Sequence, residues 1–277
     1  SRGLGDVYKR QVLGHVELHP CCVAVVDTPQ FQRLRGLKQL GPTEYVYPAA
    51  GHTRFAHSLG VSFLAGKLVE KLSHQVSPPL HITEREILCV KLAGLCHDLG
   101  HGPLSHTFEK FVRMRRPSLK WRHEHASAAL FAKVVRDEKV AAVFGRYELT
   151  EDDVHFVQEL IFGDKSDAPS SWKWRGLPPQ KHFLFEIVSN HRNGIDVDKF
   201  DYFRRDAFHL NIPCSFDSDR LIMCARAIPD DRGVFTVHPC RSFCTQVAIQ
   251  CANNLEYGCL LYTSDAADEG LGVDLGG

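Results

Sequence analysis

The sequence predicts a mainly α-helical fold with a small β element in its C-terminal part. Three observations carry this. Apolar residues recur at helical spacing along most of the chain, helix-start signals precede several of those runs, and strand-like alternation is confined to a short stretch after Gly233.

The first long helix begins after Arg54, where Leu59, Phe63, Leu64, Leu68 and Leu72 fall on one face. Pro78-Pro79 breaks the chain. Thr83 and Glu86 then form a capping-box pattern ahead of the apolar run from Ile87 to His97. Gly100, Gly102 and Pro103 stop that helix, and Pro103 suits the start of another. Further helices are expected near 123–138, 150–162, 181–191, 198–210 and 216–228. The stretch 163–180, rich in Pro, Ser and Trp, reads as a surface loop. Strands are expected at 233–238 and, more weakly patterned, at 246–250. Residues 12–259 read as one domain that is incomplete at both ends. The segments 1–11 and 260–277 share neither pattern nor composition with what they flank and read as non-native ends.

Composition narrows the function. The chain has 277 residues, 44% hydrophobic and 24% charged, which suits a globular domain with a sizeable core. Thirty-three basic residues balance thirty-three acidic ones, so no global field indicates nucleic acid or an anionic membrane. No apolar run is long enough for a membrane span, and the first residues lack a secretion signal's apolar core. Ten cysteines without a disulfide-like framework read as reduced thiols, which suits a nuclear or cytoplasmic setting. Cys240, Cys244 and Cys251 match no usual zinc spacing. Cys96, beside His97, reads as a small packing residue, because neighbours on a helix point about 100° apart.

The densest chemistry runs from His97 to Glu109, with three histidines and two carboxylates in His97-Asp98-Leu-Gly-His101-Gly-Pro-Leu-Ser-His106-Thr-Phe-Glu109. Neutral imidazoles and carboxylates suit a divalent first-row metal. His57 and Asp198, each at a predicted helix start, are the natural further ligands. The order His57, His97-Asp98, Asp198 resembles the H…HD…D pattern of the HD-domain superfamily. Longer strings sharpen the resemblance: Asp27-Thr-Pro-Gln-Phe-Gln-Arg-Leu-Arg35, Lys38-Gln-Leu-Gly41, Ala93-Gly-Leu-Cys-His-Asp-Leu-Gly-His-Gly-Pro103, and the stretch from Glu186 to Lys199. These are similar to the SAM- and HD-domain-containing deoxynucleoside triphosphate triphosphohydrolases.

The resemblance implies hydrolysis of a dNTP to a deoxynucleoside and inorganic triphosphate. By motif, His57, His97, Asp98 and Asp198 hold iron, manganese or zinc, and magnesium enters with the phosphates. His101, His106 and His123 match catalytic histidines. Glu109, where the family has Asp, lies three residues after His106 and is expected to face it and favour its protonated form. Arg54 and Lys199 are assigned to phosphate, Tyr202 and Asp206 to the sugar, and Gln39 and Leu40 to the sugar edge near the 3′-hydroxyl. The plainer readings, Tyr202 as a core aromatic and Arg54 as a surface arginine before a helix, carry less weight. Asp27, Gln32 and Arg35 match a second site that reads the guanine of an activating GTP or dGTP between subunits. The implied protein is a nucleotide-activated homo-oligomer, and this chain is expected to be weakly active or inactive alone. Asp201 with Arg204 or Arg205 reads as a surface ion pair, worth little. Two alternatives stay open: an HD phosphohydrolase acting on a nucleoside monophosphate or cyclic nucleotide, and a non-catalytic nucleotide- or nucleic-acid-binding paralogue.

Overall fold

The computed structural model describes residues 7–10, 12–74, 82–231 and 233–238. Among them the helices, in chain order, are α1 (Pro20–Val26), α2 (Pro29–Gln32), α3 (Arg54–Ser73), α4 (Glu84–Cys96), α5 (His106–Arg115), α6 (His123–Val135), α7 (Glu138–Arg146), α8 (Glu151–Phe162), α9 (Phe185–Val188), α10 (Val197–Leu210) and α11 (Ser218–Cys224). Two antiparallel pairs accompany them: β1 (Val7–Arg10) with β2 (Gly14–Glu17), and β3 (Arg226–Pro229) with β4 (Phe235–His238). The expectation of a mainly α fold with a small C-terminal β element holds. The β1–β2 hairpin, part of it in the segment set aside above, was not foreseen, and 246–250 and the trio Cys240, Cys244 and Cys251 lie outside the described residues.

Helix α3 is the centre of the molecule. Instead of one apolar stripe it is buried around most of its circumference, with Leu59, Val61, Leu64, Ala65, Leu68, Val69 and Leu72 all enclosed. It packs chiefly on α4 and α10, while α8 packs on α4 and α6. The α3–α4 approach is close because Gly94 has no side chain: a Cβ there would sit 3.2 Å from both Ala65 Cβ and the Val61 carbonyl oxygen.

The Thr83–Glu86 capping box forms as expected. Thr83 Oγ1 accepts from Glu86 N at 3.2 Å, and Glu86 Oε2 accepts from Thr83 N at 2.8 Å. Glu86 Oε1 also holds Lys181 Nζ at 2.6 Å, tying the following 3-10 turn at Pro179–Leu184 to α4. Thr83→Ala is expected to cost about 1 kcal/mol, read as a melting-temperature drop of about 2–4 °C in thermal denaturation.

Three helix boundaries differ from expectation, each because a side chain competes for backbone groups. The run 123–138 ends at Val135, since Asp137 accepts from Lys139 N at 3.0 Å and starts the unforeseen α7. The run 181–191 becomes a 3-10 turn plus the short α9, after which Asn190 Oδ1 accepts from Arg192 N and Asn193 N at 3.1 and 3.2 Å. The run 216–228 is shortened by Asp217 capping α11 and by the turn into β3. Pro103 lies in a turn, and α5 begins at His106.

The loop after α8 is fastened to the body. Buried Glu159 accepts from Arg175 N at 2.6 Å and from Gly176 N at 3.1 Å, and the Trp174 ring lies against Phe185. Cys21, Cys22, Cys89, Cys96, Cys214 and Cys224 are free thiols. Burial pushes the Cys96 thiol well up, in keeping with a packing residue.

Candidate metal centre and active site

The first turn of α3 delivers His57, the end of α4 His97 and Asp98, and the first turn of α10 Asp198. His57 Nε2 lies 3.3 Å from His97 Nε2, 2.8 Å from Asp198 Oδ1 and 3.5 Å from Asp98 Oδ2. His97 Nε2 is 3.4 Å from both Asp98 Oδ1 and Asp198 Oδ1. The four residues expected from the sequence therefore converge on one point.

Ring orientation explains what that point suits. His57 Nδ1 bonds Asp201 Oδ2 at 2.8 Å, and His97 Nδ1 bonds the Gly94 carbonyl oxygen at 2.8 Å. With both Nδ1 atoms engaged outward, both Nε2 lone pairs are directed inward. Asp198 Oδ1 is buried and has no hydrogen bond of proper geometry. Inward nitrogen lone pairs beside an unsatisfied carboxylate oxygen fit a divalent cation. Burial lowers the His57 pKa, but the Asp198 and Asp201 carboxylates outweigh it and raise it to about 10, so a cation that takes the Nε2 lone pair displaces a proton from it. Burial raises Asp98, yet Arg54, His97 and His101 hold its carboxyl well below the usual carboxylate range.

Two residues that the sequence reading passed over hold the His97–His101 turn. The Ser127 hydroxyl, from α6, donates to the His97 carbonyl and accepts from Gly100 N at 2.8 Å. Arg33 donates to the carbonyl oxygens of Leu99 and His101 at 2.6 and 2.8 Å. The following turn places Leu104 and Ser105 at φ 63° and 54°, a costly conformation for side-chain-bearing residues. It is held because Ser105 Oγ donates to the Lys38 carbonyl and accepts from Arg54 Nε, both at 3.0 Å.

Beside the quartet stand His101, His106 and His123, with ligand-capable atoms within 4.8 Å of one another. The His101 and His123 rings stack at 4.0 Å, and His106 meets His101 edge-on at 4.9 Å. The expected pairing of Glu109 with His106 is not observed. Glu109 Oε2 instead bonds His123 Nδ1 at 2.8 Å, and its other oxygen takes Arg113, because α6 begins directly opposite α5. Burial lowers the His123 pKa, but Glu124 and Glu109 outweigh it and raise it to about 9. Burial, with Arg54 and His123, pushes His101 well below the ordinary histidine value. At neutral pH the stacked pair thus combines a charged ring with a neutral one.

These groups open on a cleft of about 550 Å³, with His97, Asp98, Asp198, His106, Glu109 and His123 in its wall. Arg122, Asp167 and His191 also line it, with the Asp167 carboxylate in contact with both the Arg122 guanidinium and the His191 ring. The remaining expected residues do not line it. Arg54, expected on phosphate, is fully enclosed, its guanidinium bonded to Asp98 and Ser105. Lys199, Tyr202, Asp206, Gln39 and Leu40 are buried. Asp206 Oδ1 lies 2.6 Å from His52 Nε2, and the His52 carbonyl accepts from Gln39 N at 3.0 Å, so these three share one neighbourhood. Asp27, Gln32 and Arg35 lie apart, at the ends of α1 and α2, with Arg35 bonded to Gln32 at 2.7 Å and stacked on Phe55.

The reading of Asp201 as a surface ion pair is overturned. Asp201 is fully enclosed and accepts from Arg205 Nε and NH2 at 2.7 and 2.6 Å while bonding His57. The signal was present: Asp201 is three residues after Asp198, so both share the α10 face that meets His57.

Residues 54–206 match the HD domain family. The chain is 51% identical to deoxynucleoside triphosphate triphosphohydrolase SAMHD1 of Gallus gallus over 224 residues, 79% of this chain and 36% of that protein. It is 51% identical to the protein of that name from Homo sapiens over 222 residues, 79% of this chain and 35% of that one. A homolog of that protein in Dictyostelium discoideum is 40% identical over 230 residues, 83% of this chain and 41% of its own length. The chain spans about a third of the length of the first two.

Proposed function

Because the chain belongs to the HD domain family, we propose that it is the catalytic part of a metal-dependent hydrolase that cleaves a dNTP to a deoxynucleoside and inorganic triphosphate. The observation that carries the reading is the convergence of His57, His97, Asp98 and Asp198 beside a three-histidine group, with His97, Asp98, Asp198, His106 and His123 in the wall of one cleft. The relatives named for this reaction, half identical over most of the chain, support it.

His57, His97, Asp98 and Asp198 would hold iron, manganese or zinc, and magnesium would accompany the phosphates. Such an ion supplies Lewis acidity at the α-phosphate and a lowered pKa for water. Cleavage at the α-phosphorus expels a 5′-alkoxide, which needs a proton. Glu124 and Glu109 keep His123 charged, so His123 carries that proton, with neutral His101 stacked on it and the His106 ring edge-on beside it. Lys199 serves phosphate, and Tyr202, Asp206, Gln39 and Leu40 serve the sugar. Gln39 Oε1 and Asp206 Oδ2 are buried oxygens without a hydrogen-bond partner, the kind of atom a ligand donor satisfies. Asp27, Gln32 and Arg35 form a separate guanine-reading site for GTP or dGTP, which drives assembly of identical subunits. No helix among the described residues is long and apolar enough to cross a membrane.

The test is incubation of the chain with dGTP, Mg²⁺ and Mn²⁺, followed by ion-exchange separation of products. Deoxyguanosine with intact triphosphate, at a low rate from this chain alone, is the expected result, and diphosphate or single phosphate would replace this reading with another phosphohydrolase. Equilibrium dialysis with GTP reads the second site: binding lost in Asp27→Ala supports it, and no binding, or binding unchanged in that variant, argues against it.

A further inference from the structure

We propose that Asp201 is a positioning residue for the metal centre, that Arg205 locks it, and that Gly60 is the socket that admits the pair. The proposal rests on His57 being a metal ligand, as argued above, and extends the centre to three residues with no assigned role.

The geometry is closed at every link. Helix α10 reaches both edges of one imidazole: Asp198 Oδ1 lies 2.8 Å from His57 Nε2, and Asp201 Oδ2 lies 2.8 Å from His57 Nδ1. Since Asp198 and Asp201 are three residues apart on the same helix, the ring is held between consecutive turns. A carboxylate on Nδ1 fixes the tautomer with the proton there, leaves the Nε2 lone pair free, and increases its donor strength. Without that carboxylate the ring could flip or carry its proton on Nε2, and the lone pair would no longer face Asp198, His97 and Asp98.

Asp201 is itself held. Both of its oxygens accept from the Arg205 fork, at 2.6 and 2.7 Å, and the residue is fully enclosed. A buried carboxylate between a guanidinium and an imidazole has its charge compensated and little rotational freedom. The arrangement needs room against α3, and Gly60 supplies it. A Cβ on Gly60 would sit 2.0 Å from Asp201 Oδ1 and 2.7 Å from Arg205 NH2. Gly60 is three residues after His57, on the same face of α3. Alanine is the better helix former in general, so glycine here is explained by the space that Asp201 and Arg205 occupy.

Two substitutions disturb Asp201 without touching a ligand atom. Asp201→Asn keeps the size and removes the charge, while Gly60→Ala leaves every polar group in place and pushes the carboxylate away. After chelation and dialysis, Mn²⁺ is titrated into the whole chain and free ion is followed by electron paramagnetic resonance, with circular dichroism confirming the helical content. Each variant is expected to bind Mn²⁺ about 10–100-fold more weakly. In a His57→Ala background, adding Asp201→Asn should cause no further loss, because the ring through which Asp201 acts is gone. Parent-like affinity in both single variants would overturn the proposal. So would a full further loss in the His57→Ala background, which would make Asp201 a structural residue only. A parent chain that binds no Mn²⁺ would instead sink the metal centre, and the relay with it, so the two failures are separable.

Discussion

Replacing Asp198 by alanine is expected to remove hydrolysis, by about three decades or more in kcat, while the fold stays intact. The magnitude follows from the several kcal/mol that a positioned cation contributes, at 1.36 kcal/mol for each tenfold in rate. Asp198 places its carboxylate between His57 and His97, and no other residue on α10 reaches both Nε2 atoms among the described contacts. Loss of fold is not expected, because Asp196, not Asp198, caps α10 by accepting from Lys199 N at 3.1 Å. Product release and Mn²⁺ binding, measured on the same preparation, check both halves. Retained turnover in a variant that no longer binds metal would remove the ion from the reaction altogether.

The second large effect is on stability. Arg54→Met is expected to destabilise the domain by about 3–5 kcal/mol, because it leaves the buried Asp98 carboxylate without its guanidinium. Arg54 is fully enclosed, donates to Asp98, and also steadies Ser105 through Nε at 3.0 Å. Ser105 in turn holds a turn at positive φ, so the loss spreads to the segment that delivers His106. In a thermal scan this corresponds to a drop of about 6–20 °C. Methionine retains apolar bulk, which separates loss of the ion pair from loss of volume. A drop no larger than that of a surface pair would show that Asp98 is compensated by other groups.

The convergence of His57, His97, Asp98 and Asp198 was legible because two of the four are adjacent at a helix end and the other two open helices. Helix starts and stops are written in local residues, so spacing alone located them. The Glu109 partner was not legible in the same way. On α5, spacing makes Glu109 and His106 neighbours, but the distance to His123 depends on where α6 enters, and no local pattern encodes that. Asp201 failed for a different reason. An Asp and an Arg four apart on a helix look the same in sequence whether the face is wet or enclosed, and what enclosed this one is Gly60, far back on α3. The expected helix at 123–138 ran past its end and α7 was missed, because Asp137 reads as one more polar helix residue until its carboxylate is seen on Lys139 N. The loops were harder still: Arg33 and Ser127 act on carbonyl oxygens and amides, which carry no sequence signal.

The loop that follows α8 is fastened twice, through Glu159 to the amides of Arg175 and Gly176, and through Asp167 to Arg122 and His191. A segment anchored at both of those points gives up much of its backbone freedom. The cleft wall it supplies at Asp167 is therefore braced from the start of α6 and from the turn after α9, so a change at Arg122 or His191 is expected to reach the cleft as well as the loop.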